Sequence, residues 1–495
     1  MNLIKIIKSF FIFTFTGGVI LSSCSYEKSE KPVPESNYPP EIANILVKKC
    51  ATSGCHNSLS RANVGGLDFT TWDLMFEGGR NGSSVVPFSP QYSYLLYSVN
   101  TDSSLGQTLE PLMPYELPPL SREEYQLLYD WILRGAPDKN GMLKFPDDPN
   151  RKKAYICMQG CDQVAVIDAD SKIIMKYIGV GTDPLTIESP HMVRVSPDRQ
   201  FWYVVFYSGQ VLQKFRTSDD SLVASLMLGS GDWNTIIITP DSKKGFVSAT
   251  NLQRTAVVDL ESMTIETNIS PEFPHGGFIT PDGNWLYLTS QSGNFINKVD
   301  LNDPFYSYNS IVLVPGQSKT TSSSLDPHEM ILSADGTKYY ISCQKSNEVR
   351  VFQTSNDSFL TAIPVGEQPQ EFAISTSKPY VFVTCTNDQL DAVRRGSVYI
   401  INSNTNTVVN YVYSGYQPHG IAVDEDHACV YIANLNLDQS GPAPHHSSDC
   451  GGRNGYLTVI DLNTLQLLRK ELSDGNSFQY KNELLNFPYF VDYKK

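Results

Sequence analysis

The sequence lacks a long run of basic residues, and charged residues are sparse in it. They make up 18% of the 495 positions, and 38 Lys and Arg face 52 Asp and Glu, which gives a formal net charge of −14. Nucleic acids and anionic membrane surfaces attract proteins through concentrated positive charge. We therefore expect no nucleic-acid partner, whereas basic partner proteins are compatible with this charge.

The sequence also lacks a nucleophile motif, a phosphate-binding loop and a dinucleotide fingerprint. Tyr (27), Gly (33) and Pro (30) are plentiful, which favours β structure with many turns over helical bundles. A chain of this length also predicts two or more domains. Whether the protein is an enzyme stays open at this level.

No N-terminal apolar run is long enough to span a membrane. Lys5 and Lys8 precede "FFIFTFTGGVIL", which ends in "LSSC" at Cys24, and this order is typical of a targeting segment. The ending resembles the lipobox of bacterial lipoproteins, which implies a signal peptide at 1–23, a lipid on Cys24 and a membrane-anchored protein outside the cytoplasm, facing the periplasm or the cell surface. An ordinary signal peptide is the alternative. The polar, Pro-rich residues 24–40 predict a flexible tether.

The stretch "KKCATSGCHN" holds Cys50, Cys55 and His56. Two cysteines followed by histidine are typical of c-type haem attachment, although the usual gap is two residues and here it is four. A zinc site needs four ligands, and residues 41–140 contain no other Cys or His. A Cys50–Cys55 disulfide is a further alternative, but it leaves His56 and the Pro-flanked Met113 unexplained.

Two predicted helices flank this stretch. "PEIANILVKKC" carries an apolar stripe into the motif. "SREEYQLLYDWILRGAP" begins with a capping box at Ser121 and Glu124 and stops at Gly135. Its apolar face is predicted to contain Leu127, Leu128, Trp131 and Ile132.

Residues 41–140 resemble a cytochrome c domain of the planctomycete type, a small all-α module. The resemblance rests on "ILVKKCATSGCHN", on the Gly-rich middle segment and on "LMPYELPPLSREEYQLLYDWILRGAP". It implies one haem c with thioethers at Cys50 and Cys55, proximal ligand His56 and distal ligand Met113, a pair that raises the reduction potential. A plain core methionine is the alternative for Met113. The wide cysteine gap departs from the family pattern.

From about residue 150 the sequence repeats. Seven β-branched runs end 41 to 59 residues apart: "VAVID", "VLQKF", "TAVVD", "INKVD", "VRVFQ", "VYIIN" and "LTVID". A second element, such as "PHMVRVSPDR" or "PHGGFITPDG", precedes most of them by about 20 residues. Four strands per repeat at this spacing predict β-propeller blades.

These repeats resemble the YVTN family of seven-bladed propellers, over residues 150–495. The first repeat has no inner strand of its own, and "FPYFVDYKK" at 487–495 is predicted to supply it and close the ring. The fold class is therefore mainly β, a seven-bladed propeller with a small N-terminal all-α cytochrome c-like domain. A propeller by itself indicates little about function.

One position recurs in each inner strand, six residues before the Pro position of "SPDG". We call its occupants the slot residues: His191, Asn234, His275, His328, Gln370, His419 and, as the seventh, Tyr489. Inner strands line the central channel, so these residues are predicted to form a ring at one mouth, with His445 and His446 on a loop of the same face. Neutral imidazoles suit copper, zinc or iron, so the histidines are candidate transition-metal ligands. Packing or ligand-lining histidines are the alternative.

The other cysteines divide into two groups. Cys161 and Cys450 fall in loops of the first and seventh blades, which are neighbours around the ring, so a disulfide between them is predicted. Cys157, Cys343, Cys385 and Cys429 lie in strands and are predicted to be buried.

Three functions fit these observations. In the first, the haem transfers electrons and the propeller docks a redox partner of the cell envelope or a substrate. In the second, the propeller is an envelope binding platform with an accessory haem. In the third, the protein is an oxidoreductase with its active site at the histidine-rich mouth.

Overall fold

Seven antiparallel sheets, packed around one axis, dominate the computed structural model, which describes residues 35–437, 450 and 452–494. Their innermost strands contact one another in a closed ring, so the predicted seven-bladed propeller is confirmed. The strands are short, mostly six residues, and alternate with turns in the way the Gly- and Pro-rich composition predicts. In the described part of the chain, no helix is both long and apolar enough to span a membrane.

The first three blades share one plan, in which strands run outward from the channel in chain order. Blade 1 contains β1 (Lys153–Met158), β2 (Gln163–Asp168) and β3 (Ile174–Gly179). Blade 2 contains β4 (Pro190–Val195), β5 (Phe201–Phe206), β6 (Val211–Arg216) and β7 (Leu222–Met227). Blade 3 contains β8 (Trp233–Ile238), β9 (Lys244–Ala249), β10 (Arg254–Asp259) and β11 (Thr264–Ile269).

Blades 4 to 6 follow the same plan. Blade 4 contains β12 (Pro274–Ile279), β13 (Trp285–Ser290), β14 (Phe295–Asp300) and β15 (Tyr308–Val312). Blade 5 contains β16 (Pro327–Leu332), β17 (Lys338–Cys343), β18 (Glu348–Gln353) and β19 (Phe359–Pro364). Blade 6 contains β20 (Glu367–Ile374), β21 (Tyr380–Asn387), β22 (Gly396–Asn402) and β23 (Thr407–Gly415).

Blade 7 and the C-terminal strand complete the ring. Blade 7 contains β24 (Pro418–Asp424), β25 (Cys429–Asn434), β26 (Asn454–Asp461) and β27 (Gln466–Leu467). A short hairpin, β28 (Arg469–Glu471) and β29 (Ser477–Gln479), leads to β30 (Lys481–Asn486), which also pairs with β26. The last strand, β31 (Pro488–Lys494), pairs antiparallel with β1 and becomes the inner strand of blade 1. The predicted closure by residues 487–495 is confirmed, and it leaves no open inner edge.

Polar contacts between blades repeat around the ring. The turn between the third and fourth strands presents Asp220 in blade 2 and Asp357 in blade 5. Asp220 accepts hydrogen bonds from Lys153 (2.8 Å) and Tyr155 (2.9 Å) of blade 1. Asp357 accepts one from Tyr287 (3.0 Å) of blade 4. Buried carboxylates are therefore paired across blade boundaries, as burial requires.

Helices occur in the segment before the propeller, among the described residues. They are α1 (Pro40–Ile45), which continues as a π-helical turn at Leu46–Cys50, α2 (Trp72–Met75), α3 (Tyr94–Val99) and α4 (Arg122–Leu133), with 3-10 turns at Arg61–Asn63, Pro90–Tyr92 and Ser103–Leu105. We call residues 36–140 the helical segment. It has its own apolar core, in which Leu46, Leu128 and Trp131 are almost completely buried.

The helix α4 confirms most of its predicted features. Ser121 and Glu124 form the capping box, and Gly135 has the positive φ that ends the helix. The predicted apolar face is wrong at one residue, because Leu127 is 42% exposed and Tyr125 is buried in the core instead. The reason is that Tyr125 lies three residues before Leu128, on the same side of the helix, whereas Leu127 is turned away.

The helical segment packs on blades 1 and 7. The backbone amide of Ile174 in β3 donates to Ser83 Oγ (3.2 Å), and Asn454 Nδ2 in β26 donates to the Tyr94 hydroxyl (2.9 Å). Tyr92 makes an edge contact with Tyr177, with ring centroids 5.2 Å apart. The helical segment and the propeller therefore belong to one compact unit.

Candidate functional site

The first candidate site is a cavity of about 370 Å³ in the helical segment, which we call the cysteine cavity. Cys50, Cys55, His56 and Met113 all line it. The rest of its wall is largely apolar and includes Val64, Leu67, Phe69, Leu95 and Val99. The structure therefore brings together the four residues that were predicted from the sequence to bind haem.

The four-residue gap between the cysteines folds into a compact turn. The amide of Cys55 donates to the carbonyl of Thr52 (3.0 Å), and the amide of His56 donates to the carbonyl of Cys50 (3.1 Å). Gly54 adopts a φ of 82°, which a residue with a side chain rarely takes. The wide loop thus still holds His56 directly against Cys50.

The thiols of this cavity are free, so the alternative Cys50–Cys55 disulfide does not form. Burial raises the pKa of Cys50 to about 12, which keeps it a protonated thiol at neutral pH. Within the described residues, Cys50, Cys55 and His56 are not a group whose ligand atoms lie within 4.8 Å of one another. That arrangement gives no support to a zinc site.

His56 is suited to bind a metal ion. Its Nδ1 is buried without a hydrogen-bond partner, and its ring makes an edge contact with Phe69 at 5.4 Å. Burial lowers its pKa, so the imidazole is neutral at pH 7 and keeps a lone pair for a metal.

Met113 lies in the Pro-rich loop after α3 and is half-buried. Its backbone amide donates to the carbonyl of Ser98 (2.7 Å), which fixes the loop against α3. Its side chain also packs at the edge of the helical core. Met113 therefore meets the requirements of both interpretations, cavity lining and core packing.

The second candidate site is a cavity of about 370 Å³ at one mouth of the propeller channel, which we call the histidine mouth. All seven slot residues line it, one from each blade. Ring centroids are 4.2 Å apart for His275 and His328, 5.9 Å for His328 and His419, and 3.8 Å for His419 and Tyr489. The predicted ring is confirmed.

A repeated backbone irregularity places these side chains in the channel. The pairing of each inner strand with the next strand shifts register at the slot, as at Pro274/Gly277 and Pro418/Ile421. A bulge of this kind redirects side chains and is frequent next to active sites. In six blades the residue two positions before the slot residue has a positive φ, as Gln417 does at 48°. The bulge therefore turns two consecutive side chains toward the axis.

Hydroxyl groups between blades hold the slot backbone. Thr289 donates to the carbonyl of His328 (2.9 Å), Ser342 to that of Gln370 (2.7 Å) and Thr384 to that of His419 (2.7 Å). Each donor is on the second strand of one blade and each acceptor is in the next blade. Sequence reasoning missed this set, although "LTS", "ISC" and "VTC" recur at equivalent positions.

The residues after two slot positions form a buried carboxyl pair. Glu329 and Glu371 are 5% and 4% exposed. Burial raises the pKa of both, and Arg194 and a hydrogen bond from Glu329 oppose that rise at Glu371. Gly276 leaves the space that Glu329 occupies, since a Cβ there would lie 2.4 Å from a Glu329 oxygen.

Glu371, His328 and His419 form one buried cluster whose ligand atoms all lie within 4.8 Å of one another, so this group could hold a metal. Both nitrogens of His328 and both of His419 are buried without hydrogen-bond partners. Burial also lowers the pKa of His328 to about 4 and that of His419 in the same direction, so both rings are neutral.

The remaining slot histidines each have a partner for Nδ1. His191 Nδ1 lies 2.9 Å from Gln159 Nε2, and His275 Nδ1 lies 3.2 Å from the carbonyl of His328. His445, His446 and Cys24 lie outside the described residues.

The cysteine predictions for the propeller are confirmed. Cys161 and Cys450 form a disulfide. Cys157, Cys343, Cys385 and Cys429 are free and buried in strands.

Comparisons with known proteins give a fold and no activity. No family model matches the chain. It is 20% identical over 419 residues to antigen Lp49 of Leptospira interrogans, which covers 74% of this chain and 90% of the relative. A solved structure from Bacteroides uniformis, described as a candidate 6-phosphogluconolactonase, has a TM-score of 0.51 at 12% identity and covers 70% of this chain and all of its own. Hydrazine synthase of Kuenenia stuttgartiensis has a TM-score of 0.46 at 18% identity, over 58% of this chain and 79% of its own. The likeness to the Bacteroides uniformis structure supports the fold alone.

Proposed function

We propose that this protein is an extracytoplasmic electron-transfer lipoprotein that carries one haem c in the cysteine cavity. The observation that carries the proposal is the convergence of two free thiols, a neutral histidine and a methionine on one largely apolar cavity. Apolar walls with a few placed polar groups are typical of cofactor sites. The residues present therefore fit a haem.

Each residue has a role in this proposal. Cys50 and Cys55 would hold the haem through thioether bonds, and His56 and Met113 would bind its iron. A bound haem would supply a one-electron Fe(II)/Fe(III) couple, with a potential raised by the His/Met pair. Phe69 and its apolar neighbours would exclude water from the cofactor, which also affects its potential.

The propeller would dock a redox partner of the cell envelope or a substrate. The hydrogen bond between Asn454 and Tyr94 supports this arrangement, because Tyr94 lines the cysteine cavity and Asn454 belongs to blade 7. A partner bound near blades 1 and 7 would therefore be close to the haem cavity. The lipid on Cys24 would keep both at the membrane.

The test is co-expression with the haem c maturation machinery. We expect a haem stain that survives denaturing electrophoresis and a low-spin reduced spectrum. Cys50→Ala with Cys55→Ala should abolish the covalent stain, while Cys343→Ala, which removes a buried propeller thiol, should retain it. His56→Ala should abolish the low-spin spectrum. A chain that matures without haem, or a stain that persists without both cysteines, would refute the proposal.

The role of Met113 needs its own comparison. Met113→Leu should lower the reduction potential and change the axial-ligand absorption, whereas Met142→Leu, at a 61% exposed position, should change neither. Equal spectra for the two variants would assign Met113 to the core. A haem that is reducible but exchanges electrons with no periplasmic donor would favour the binding platform over electron transfer.

A further inference from the structure

We propose that the propeller holds a divalent transition-metal ion between His328, His419 and Glu371, in a site separate from the haem. The ligand atoms are His328 Nε2, His419 Nδ1 and a carboxylate oxygen of Glu371. Two imidazoles and one carboxylate leave coordination positions open, a set found in catalytic zinc sites and in non-haem Fe(II) sites.

The distances favour a shared ion over direct hydrogen bonds. Glu371 Oε1 lies 3.6 Å from His328 Nε2 and 4.0 Å from His419 Nδ1. A charge-assisted hydrogen bond would bring such atoms to about 2.7–2.9 Å. Two donors that share one ion at about 2.1 Å each lie roughly 3.0–3.5 Å apart. These two separations would shorten by about half an ångström around a shared ion, and the two imidazole nitrogens lie within 4.8 Å of each other.

The pattern of satisfied and unsatisfied nitrogens selects these two histidines. All four nitrogens of His328 and His419 are buried and unpartnered, whereas Nδ1 of His191 and of His275 each has a partner. The nitrogens of these two histidines are therefore the ones available to a metal ion beside the Glu371 carboxyl group.

The surroundings supply the outer contacts that metal ligands need. The Thr384 hydroxyl accepts from the amide of Glu371 (3.1 Å) and donates to the carbonyl of His419 (2.7 Å), so it fixes the backbone of two ligands. Glu329 contributes a hydrogen bond to Glu371. Such contacts orient ligands and typically change affinity by about 10–100-fold when they are removed.

The proposed metal site lies beside the cavities of the propeller channel. His328 and His419 line the histidine mouth, and Glu371 lines a second cavity of about 380 Å³ in the channel. Amide side chains such as Gln344 and Gln370 line the mouth. An open coordination position facing it would accept water or a small polar ligand.

The experiment uses the full chain, stripped with a chelator and then titrated with Zn²⁺ or Co²⁺ alone. We expect one non-haem ion per chain by elemental analysis, after subtraction of haem iron, and a rise in the thermal midpoint on addition of either ion. His328→Ala and Glu371→Gln should lose the ion and the thermal response. The matched control His191→Gln, at an equally buried slot position with a satisfied nitrogen, should keep both.

The conservative variant Thr384→Val tests the positioning contact without removing a ligand. We expect a roughly 10-fold weaker affinity for Zn²⁺ when the folded, metal-free variant is titrated. Substoichiometric metal in the wild type would overturn the proposal. So would equal binding by His328→Ala and His191→Gln, with both variants folded by circular dichroism. Because Zn²⁺ and Co²⁺ are measured separately from haem iron, failure here leaves the electron-transfer proposal untouched.

Discussion

The Cys161–Cys450 disulfide should contribute more to stability than any single packing contact, because it joins the two blades at the ring closure. Its cysteines are 289 residues apart in sequence. In the chain-entropy model, a loop of that length corresponds to about 5.7 kcal/mol at 25 °C. Removal of a native disulfide typically lowers the free energy of unfolding by about 2–5 kcal/mol. We therefore expect the double variant Cys161→Ala with Cys450→Ala to lose roughly 4 kcal/mol.

A loss of that size gives a measurable shift in the thermal midpoint. Unfolding the 345-residue propeller corresponds to an entropy of about 0.7 kcal/mol/K, so the thermal midpoint should fall by roughly 5–6 °C. The urea m-value should rise as well, because the unfolded chain without the cross-link exposes more surface. Scanning calorimetry and urea titration of the oxidised wild type and the double variant would measure both.

The control separates the cross-link from the loss of a buried sulfur. Cys343→Ala removes a completely buried free thiol from β17 and should cost much less. Each single variant should destabilise about as much as the double variant, because either one breaks the bond. A double variant that unfolds within about 1 °C of Cys343→Ala, or single effects that add, would refute the reasoning.

Three further predictions concern the same framework. Asp220→Asn leaves Lys153 buried without its charge partner and should cost about 3–5 kcal/mol in urea titration, and Asp219→Asn, whose half-buried carboxylate pairs with the exposed Arg216, should cost much less. Burial lowers the pKa of Lys470 to about 8. The unfolded state therefore binds more protons between pH 8 and 10, so the wild type should gain about 2 kcal/mol relative to Lys470→Met over that range; parallel pH profiles would contradict this. Deleting residues 487–495 should expose the edge of β1 and give aggregates by size-exclusion chromatography, and a monodisperse, cooperatively unfolding product would show that the ring does not need them.

The repeat made much of the propeller predictable, for a physical reason. Seven copies of one pattern report the same strand and turn preferences seven times, so accidental matches cancel. The incomplete first repeat then requires a partner strand, and the similarity of "FPYFVDYKK" to the other inner strands identifies it. The disulfide followed from the same reasoning, because closure makes blades 1 and 7 neighbours.

Contacts that depend on register between blades were not predictable in this way. The sequence places Glu329 and Glu371 beside slot residues, but strand alternation would direct them away from the axis. Only the bulge turns both a slot residue and its successor toward the channel. The exposed Leu127 in α4 is a smaller instance, because helix periodicity defines a face and tertiary contacts decide its limits.

The same bulge explains why the slot histidines and a carboxyl pair occur in one layer of the channel. A regular strand offers the axis one side chain in two, so a ring of histidines would leave the carboxylates outside. The shifted register directs two consecutive residues of an inner strand toward the channel, and in blades 5 and 6 the second one is glutamate. In blades 4 and 7 the equivalent residues are Gly276 and Gly420, which have no side chain to compete for the space. The arrangement therefore needs glycine and glutamate together, and replacing Gly276 with alanine should force the Glu329 carboxyl group to shift, because the added Cβ would lie 2.4 Å from one of its oxygens.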